Sequence, residues 1–310
     1  MRTKLLALAG ATLAIGAVPA SAAPLIYGGA SWVTARSCVT AAPADPCDGT
    51  IVPDQRIFDQ VKTGGPSLAA NSSLTLADGS VAKGIVDYGA LDLPIIKGSA
   101  ASSADTRMNS NQIGYQSFEY TGAATVPFAL SGALDFTISG ADGPQTGVGP
   151  GEGFVYAYLA LWDPSVVAGI FSIDDIFREI FFADCTTPGV IGYAIFDGRG
   201  LAAGSHATTM NVSTDCAGNP ILLSTGSTFL AVAGLQTPAN RGGFADAFNT
   251  FVVGLDPALG ADVLAELEAG LVSARALDVP EPGMLGLLGL TLAGLASGRH
   301  RARPSATIRR

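Results

Sequence analysis

From Met284 to Ala296 the chain has a single polar side chain, Thr291, and the longer run Gly283 to Gly298 has no charge at all. A helix packed against a soluble core shows polar positions at helical spacing; this run shows no such pattern. Its length, about 16 residues or roughly 24 Å as a helix, is at the lower limit for crossing a bilayer. Pro280 and Pro282 end any helix that precedes it. Arg299, Arg301, Arg303, Arg309 and Arg310 follow and favour a cytoplasmic position for that end. The order predicts a membrane-seeking helix over about 283–298 that stays apart from the fold of the rest.

The other end of the chain is also a targeting segment. Arg2 and Lys4 precede the apolar stretch Leu5 to Val18, and Ala20-Ser21-Ala22 supplies small residues for cleavage. This is the pattern of a secretory signal peptide over 1–22, cut by signal peptidase between Ala22 and Ala23.

The motif Pro280-Glu281-Pro282, the Gly/Leu/Ala-rich span and the arginine cluster, in that order, resemble the PEP-CTERM family of exported bacterial proteins. The resemblance covers the last 32 residues, 279–310. It implies processing near the Pro-Glu-Pro motif by an exosortase, a membrane transpeptidase. It also implies a transient stay in the inner membrane, then the cell surface or the exterior, and a link to exopolysaccharide or biofilm matrix. The stretch Pro304 to Ile308 runs past the first arginines, where family members often stop. The resemblance gives an address and leaves the work of the exported part to be read from its own residues.

That part, 23–278, is expected to be one β-rich body with a sizeable core. Ten basic residues stand against 25 acidic ones between 23 and 279, a net charge of −15. Such a surface repels phosphate backbones, so nucleic acid is excluded as a partner. Lys62, Lys83 and Lys97 are its only lysines, while Gly, Ala, Ser, Thr and β-branched residues abound. That composition points to an all-β exported protein with many turns. Cys38, Cys47, Cys185 and Cys216 form an even set, which in an exported chain suggests two disulfides. Three connectivities exist, and closeness in sequence favours Cys38–Cys47 with Cys185–Cys216. No C-x-x-C pair is present to suggest zinc.

Along the body, alternation places Gln116, Phe118 and Tyr120 on one face, and Phe128, Leu130, Leu134, Phe136 and Ile138 on a core face. Asp78-Gly79 reads as a hairpin turn before a strand at Val81–Tyr88. Ser99 to Asn111 reads as a polar loop or edge. Val166 to Ala183 suggests a short helix, and Leu259 to Leu277 a second one. Roughly ten short strands between Gly- and Pro-rich turns predict a β-sandwich of jelly-roll type.

Catalytic constellations are scarce. His206 is the only histidine outside the tail and lies in a Gly/Ser/Thr-rich stretch that reads as a surface turn. A hydrolytic triad would have to use it, and no G-x-S-x-G is present. A glycan-acting hydrolase needs two carboxylates about 5 to 9.5 Å apart in a groove; Glu152, Asp174, Asp175 and Glu179 are the candidates. A carbohydrate-binding module needs an exposed row of aromatics, for which Trp32, Trp162, Tyr115 and Tyr120 are candidates. The oxygen-rich stretch Ala104 to Asn109 is the one place where Ca2+ would be sought, although no D-x-D-x-D-G loop exists. The expectation is a non-enzymatic exported surface or matrix protein without a required cofactor, with the sugar-binding module as the alternative and the hydrolase behind it.

Overall fold

The computed structural model describes residues 27–38, 47, 57–61, 70–140, 151–167 and 183–274. The signal peptide, the Pro-Glu-Pro motif, the apolar run and the arginine tail lie outside them, as does most of the helix expected at Val166–Ala183. Fifteen strands lie among the described residues, in chain order β1 (Tyr27–Ser37), β2 (Ile57–Val61), β3 (Ala70–Thr75), β4 (Val81–Tyr88), β5 (Pro94–Ala101), β6 (Thr106–Tyr120), β7 (Val126–Pro127) and β8 (Leu130–Ile138). Then come β9 (Tyr156–Trp162), β10 (Val190–Asp197), β11 (Gly204–Val212), β12 (Leu222–Leu223), β13 (Thr228–Asn240), β14 (Phe244–Leu255) and β15 (Leu271–Ser273). Two antiparallel sheets carry the body. One runs β10-β9-β13-β6-β1-β2 with β15 also on β6; the other runs β11-β8-β14-β5-β4-β3. A small ladder, β12-β7, completes the set. The chain is an all-β sandwich.

The pleat puts Phe118, Leu130, Leu134, Phe136, Ile138, Leu159, Leu161, Phe229 and Phe251 into one core cluster between the sheets. Phe229 is wedged between Phe118 and Phe128, with ring centroids 5.2 and 4.6 Å away. Alternate residues of the first sheet point the other way, and they are apolar too: Trp32, Ile113, Tyr158, Trp162, Leu230 and Val232 form a second buried cluster. The β6 sheet is thus buried on both faces, and the β14 sheet has one face in water.

Part of the inner layer is polar. Gln112, fully buried, lies against Gly84 and Gly98 of the facing sheet. Its Nε2 donates to Ser110 Oγ at 2.6 Å, and Ser110 Oγ donates to the Lys83 carbonyl at 2.6 Å. Beside them Ser31 and Ser72 share a hydrogen bond of 2.7 Å. The two glycines leave the room that Gln112 fills: a Cβ on Gly84 would lie 1.9 Å from Nε2, and one on Gly98 2.4 Å from Oε1.

Both ends of the body leave from one place. β1 pairs with β6 from Tyr27 opposite Gln116 onward, and β15 pairs with the same edge of β6, ending with Ser273 opposite Phe118. The first and last described strands therefore lie head to tail in one lane, and Ala274 packs with Tyr27 and Tyr88. The opposite pole is tied by Asp78, at the β3–β4 turn. Its carboxylate accepts from Ser103 Oγ and Thr106 Oγ1, both at 2.6 Å, and from the Ser80 amide at 2.9 Å. Cys38 is bonded to Cys47, both buried, and Cys185 to Cys216, both exposed.

Several local expectations are corrected. Ser99 to Asn111 is the end of β5, a short turn and the start of β6, because its polar side chains face the neighbouring sheet or solvent in turn. β5 itself was not expected. The C-terminal helix spans only Ala261–Gly270 and gives way to β15; Leu267 is its buried anchor. Before it, the Asp256 side chain accepts from Ala258 N at 2.9 Å and caps the turn Pro257–Leu259.

Two outcomes follow from these contacts. Gly84→Ala should cost about 1 to 3 kcal/mol through overpacking, read as a lower urea midpoint, and most of that loss should disappear when Gln112→Ala is added. The hydroxyls of Ser103 and Thr106 hold the Asp78 carboxyl well below its usual range, so its contribution is present above the unfolded value near pH 4 and is lost as pH falls further. Asp78→Asn should therefore be less stable than the parent at pH 6, with the gap narrowing toward pH 2, as measured by urea melts across that range.

Candidate functional site

Trp32 and Trp162 are buried on the outer face of the β6 sheet, Tyr115 is half-buried there, and Tyr120 is buried in the core between the sheets. These four residues do not form the exposed aromatic row that a carbohydrate-binding module needs. The reason is legible in β9, where Tyr158, Ala160 and Trp162 alternate with Ala157, Leu159 and Leu161: both faces are apolar, the mark of a strand covered on both sides. Burial pushes the Tyr158 phenol above its usual range.

Among the hydrolase candidates, Glu152 is buried, at 5 % exposure, and Asp174, Asp175 and Glu179 lie outside the described residues. His206 belongs to β11 rather than to a turn. Its ring stacks on Phe136 at 5.2 Å between centroids, and its Nε2 lies 2.9 Å from the Ala202 carbonyl. Among the described residues no group of three or more His, Cys, Asp or Glu could hold a metal. The oxygen-rich stretch Ala104 to Asn109 is partly strand, with Thr106 bonded to Asp78. No described helix is long and apolar enough to cross a membrane.

What remains open is the outer face of the β14 sheet. Two shallow depressions lie on it. One, of about 400 Å³, is bounded by Asp135, Thr137, Ser205, His206 and Asp246. The other, of about 350 Å³, is bounded by Asn71, Ser73, Lys83, Ile85 and Phe248. A bulge in β14 separates them. Between Ala247 and Phe251, β14 uses four residues where β5 uses two, and β8 is overrun in the same way. The extra residues re-aim Phe248 across β5 toward β4, where Lys83 Nζ lies 3.8 Å from its ring centroid. Asp246 pins the bulge by accepting from the Phe248 amide at 2.9 Å. Across the other depression Thr137 Oγ1 and Ser205 Oγ share a hydrogen bond of 3.0 Å. Such a surface offers hydroxyls, two carboxylates, an ammonium and one aromatic edge without a buried nucleophile. None of its residues except His206 was singled out from sequence. Strand alternation puts His206 on the same side of β11 as its partner Phe136 and marks Ser205, Thr137, Asp246, Ser73 and Lys83 as outward-facing, but nothing local says that they share a row.

An exported, disulfide-bonded β-sandwich body followed by a C-terminal sorting signal is the class that these features define. Residues 278–302 match the family model of the PEP-CTERM protein-sorting motif. The chain carries that motif, which marks an exported protein, processed by an exosortase-type membrane enzyme, that passes through the membrane to the cell surface or the exterior. No curated protein matches the chain. Two solved structures bear a partial likeness. The enzymatically active domain of bacteriophage CBA120 tailspike protein 4 is 10 % identical over 62 % of this chain, which spans 20 % of that one, with a TM-score of 0.25. A putative glycoside hydrolase from Bacteroides thetaiotaomicron is 11 % identical over 72 % of this chain and 70 % of its own, with a TM-score of 0.31. Both scores lie well below those of a shared fold.

Removing the pin at the bulge tests its role. Asp246→Ala should cost about 0.5 to 1.5 kcal/mol and speed hydrogen exchange at the Phe248 amide, with amides in β1 and β6 unaffected.

Proposed function

We propose that the chain is a non-enzymatic protein of the cell surface or extracellular matrix, delivered by its C-terminal signal and held there by association with extracellular polysaccharide. The observation that carries this reading is the sorting motif at 278–302. Two disulfides suit an oxidising exterior, and the excess of acidic side chains keeps a released body soluble. His206, stacked on Phe136 with its Nε2 at the Ala202 carbonyl, is poorly disposed to serve as a general base.

Cell fractionation with an antibody to the body tests the reading. The expected result is a form shortened at both ends in the surface or matrix fraction, and retention of unprocessed protein in the membrane when Pro280, Glu281 and Pro282 are all changed to Ala. Full-length protein in the cytosol, or matrix delivery indifferent to those changes, would overturn the address. Release of reducing sugar from matrix polysaccharide by the purified protein would overturn the non-enzymatic assignment.

A further inference from the structure

The register of the open sheet aligns one side chain from each of its six strands. Ser73 of β3 is opposite Lys83 of β4, and Lys83 is opposite Ser99 of β5. Ser99 is opposite Asp246 of β14, Asp246 opposite Thr137 of β8, and Thr137 opposite Ser205 of β11. All six face outward, and Ser73, Lys83, Asp246 and Ser205 are exposed. Every member can form a hydrogen bond. At the usual strand spacing the row crosses roughly 24 Å, enough for several sugar rings laid end to end.

The neighbours of the row include apolar groups. On one side Val81, Ala101 and Phe244 occupy the adjoining outward positions of β4, β5 and β14, and Phe244 is 41 % exposed. On the other side Asn71, Ile85, Lys97, Asp135 and Ala207 adjoin the row, together with the bulge-borne Phe248. Both depressions sit on the row, one at each end of it. A polar line with apolar groups beside it offers a sugar chain both partners for the hydroxyls at its ring edges and contacts for the C–H groups of its ring faces.

We infer that this row is a track for a linear, uncharged polysaccharide lying across the strands. The inference rests on the matrix reading above and names the surface that serves it. Charge argues for an uncharged chain. The body carries a net −15 between 23 and 279, which repels anionic polymers, and the ammonium of Lys83 is already over the Phe248 ring.

The test uses the processed protein recovered from the matrix fraction, run by affinity electrophoresis through gels containing soluble linear β-glucan, mannan or xylan, and through a gel containing alginate. Retardation in at least one neutral gel and none in alginate is expected. Ser99→Ala and Ser205→Ala should each weaken that retardation about 3- to 10-fold, the loss of one hydrogen bond. Thr209→Ala, exposed on the same face but outside the row, should leave it unchanged. No retardation in any neutral gel, retardation only in alginate, or retardation indifferent to the row substitutions would overturn the track. Loss of the parent protein from the matrix fraction would instead strike the reading underneath, while retention of parent and row variants alike would leave that reading and remove the track.

Discussion

The hydrogen-bonded pairing of β6 along both of its edges is the interaction on which the sandwich depends. β13 lies along one edge from Arg107 to Glu119. β1 and then β15 share the other. A strand so enclosed has no edge to offer solvent, and neighbours on both sides extend its pleat into a wide sheet. Gln112 shows how closely the facing sheet is fitted to it. Two glycines stand where side chains would otherwise meet its amide, so the polar seam is a matter of shape as much as of hydrogen bonding.

An asymmetry between the sheets follows. The β6 sheet buries aromatic side chains on its outer face as well as its inner one, among them Trp32, Tyr158 and Trp162. The β14 sheet buries apolar residues on its inner face and carries hydroxyls, carboxylates, two lysines and scattered apolar groups outside. A protein bound for the cell exterior can use such a face without becoming sticky, since isolated apolar groups among polar ones are not a contiguous hydrophobic patch. The bulge in β14 adds the one relief on that surface by sending Phe248 sideways over Lys83.

Much of the fold was legible along the chain. The run Phe128 to Ile138 alternates cleanly and faces the core as its pattern implies. The Asp78-Gly79 turn stands where turn chemistry places it, with Gly79 at φ +86°. Elsewhere the pattern misled. Asn109, Ser110 and Asn111 look like a loop because strands are expected to put apolar residues inward, whereas here Ser110 bonds to Gln112 within the sandwich. Pro94 to Ala101 is hard to read as a strand for a related reason: its outward positions, Ile95, Lys97, Ser99 and Ala101, mix apolar with polar, and its inward ones include Pro94 and Gly98, which strands disfavour. Whether the aromatic candidates for sugar binding are exposed was not legible, because composition does not reveal which strands are covered twice.

Sequence alone determined where this protein goes, because a sorting signal is a contiguous string of prolines, apolar residues and arginines whose properties need no partner in space. It also determined which way the side chains alternate in runs such as Phe128 to Ile138. Only the tertiary structure decided that Ser73, Lys83, Ser99, Thr137, Ser205 and Asp246 form one line. A row across a sheet is set by hydrogen-bond register between strands that are distant in the chain, and a slip of one residue in any of them would turn its side chain to the other face.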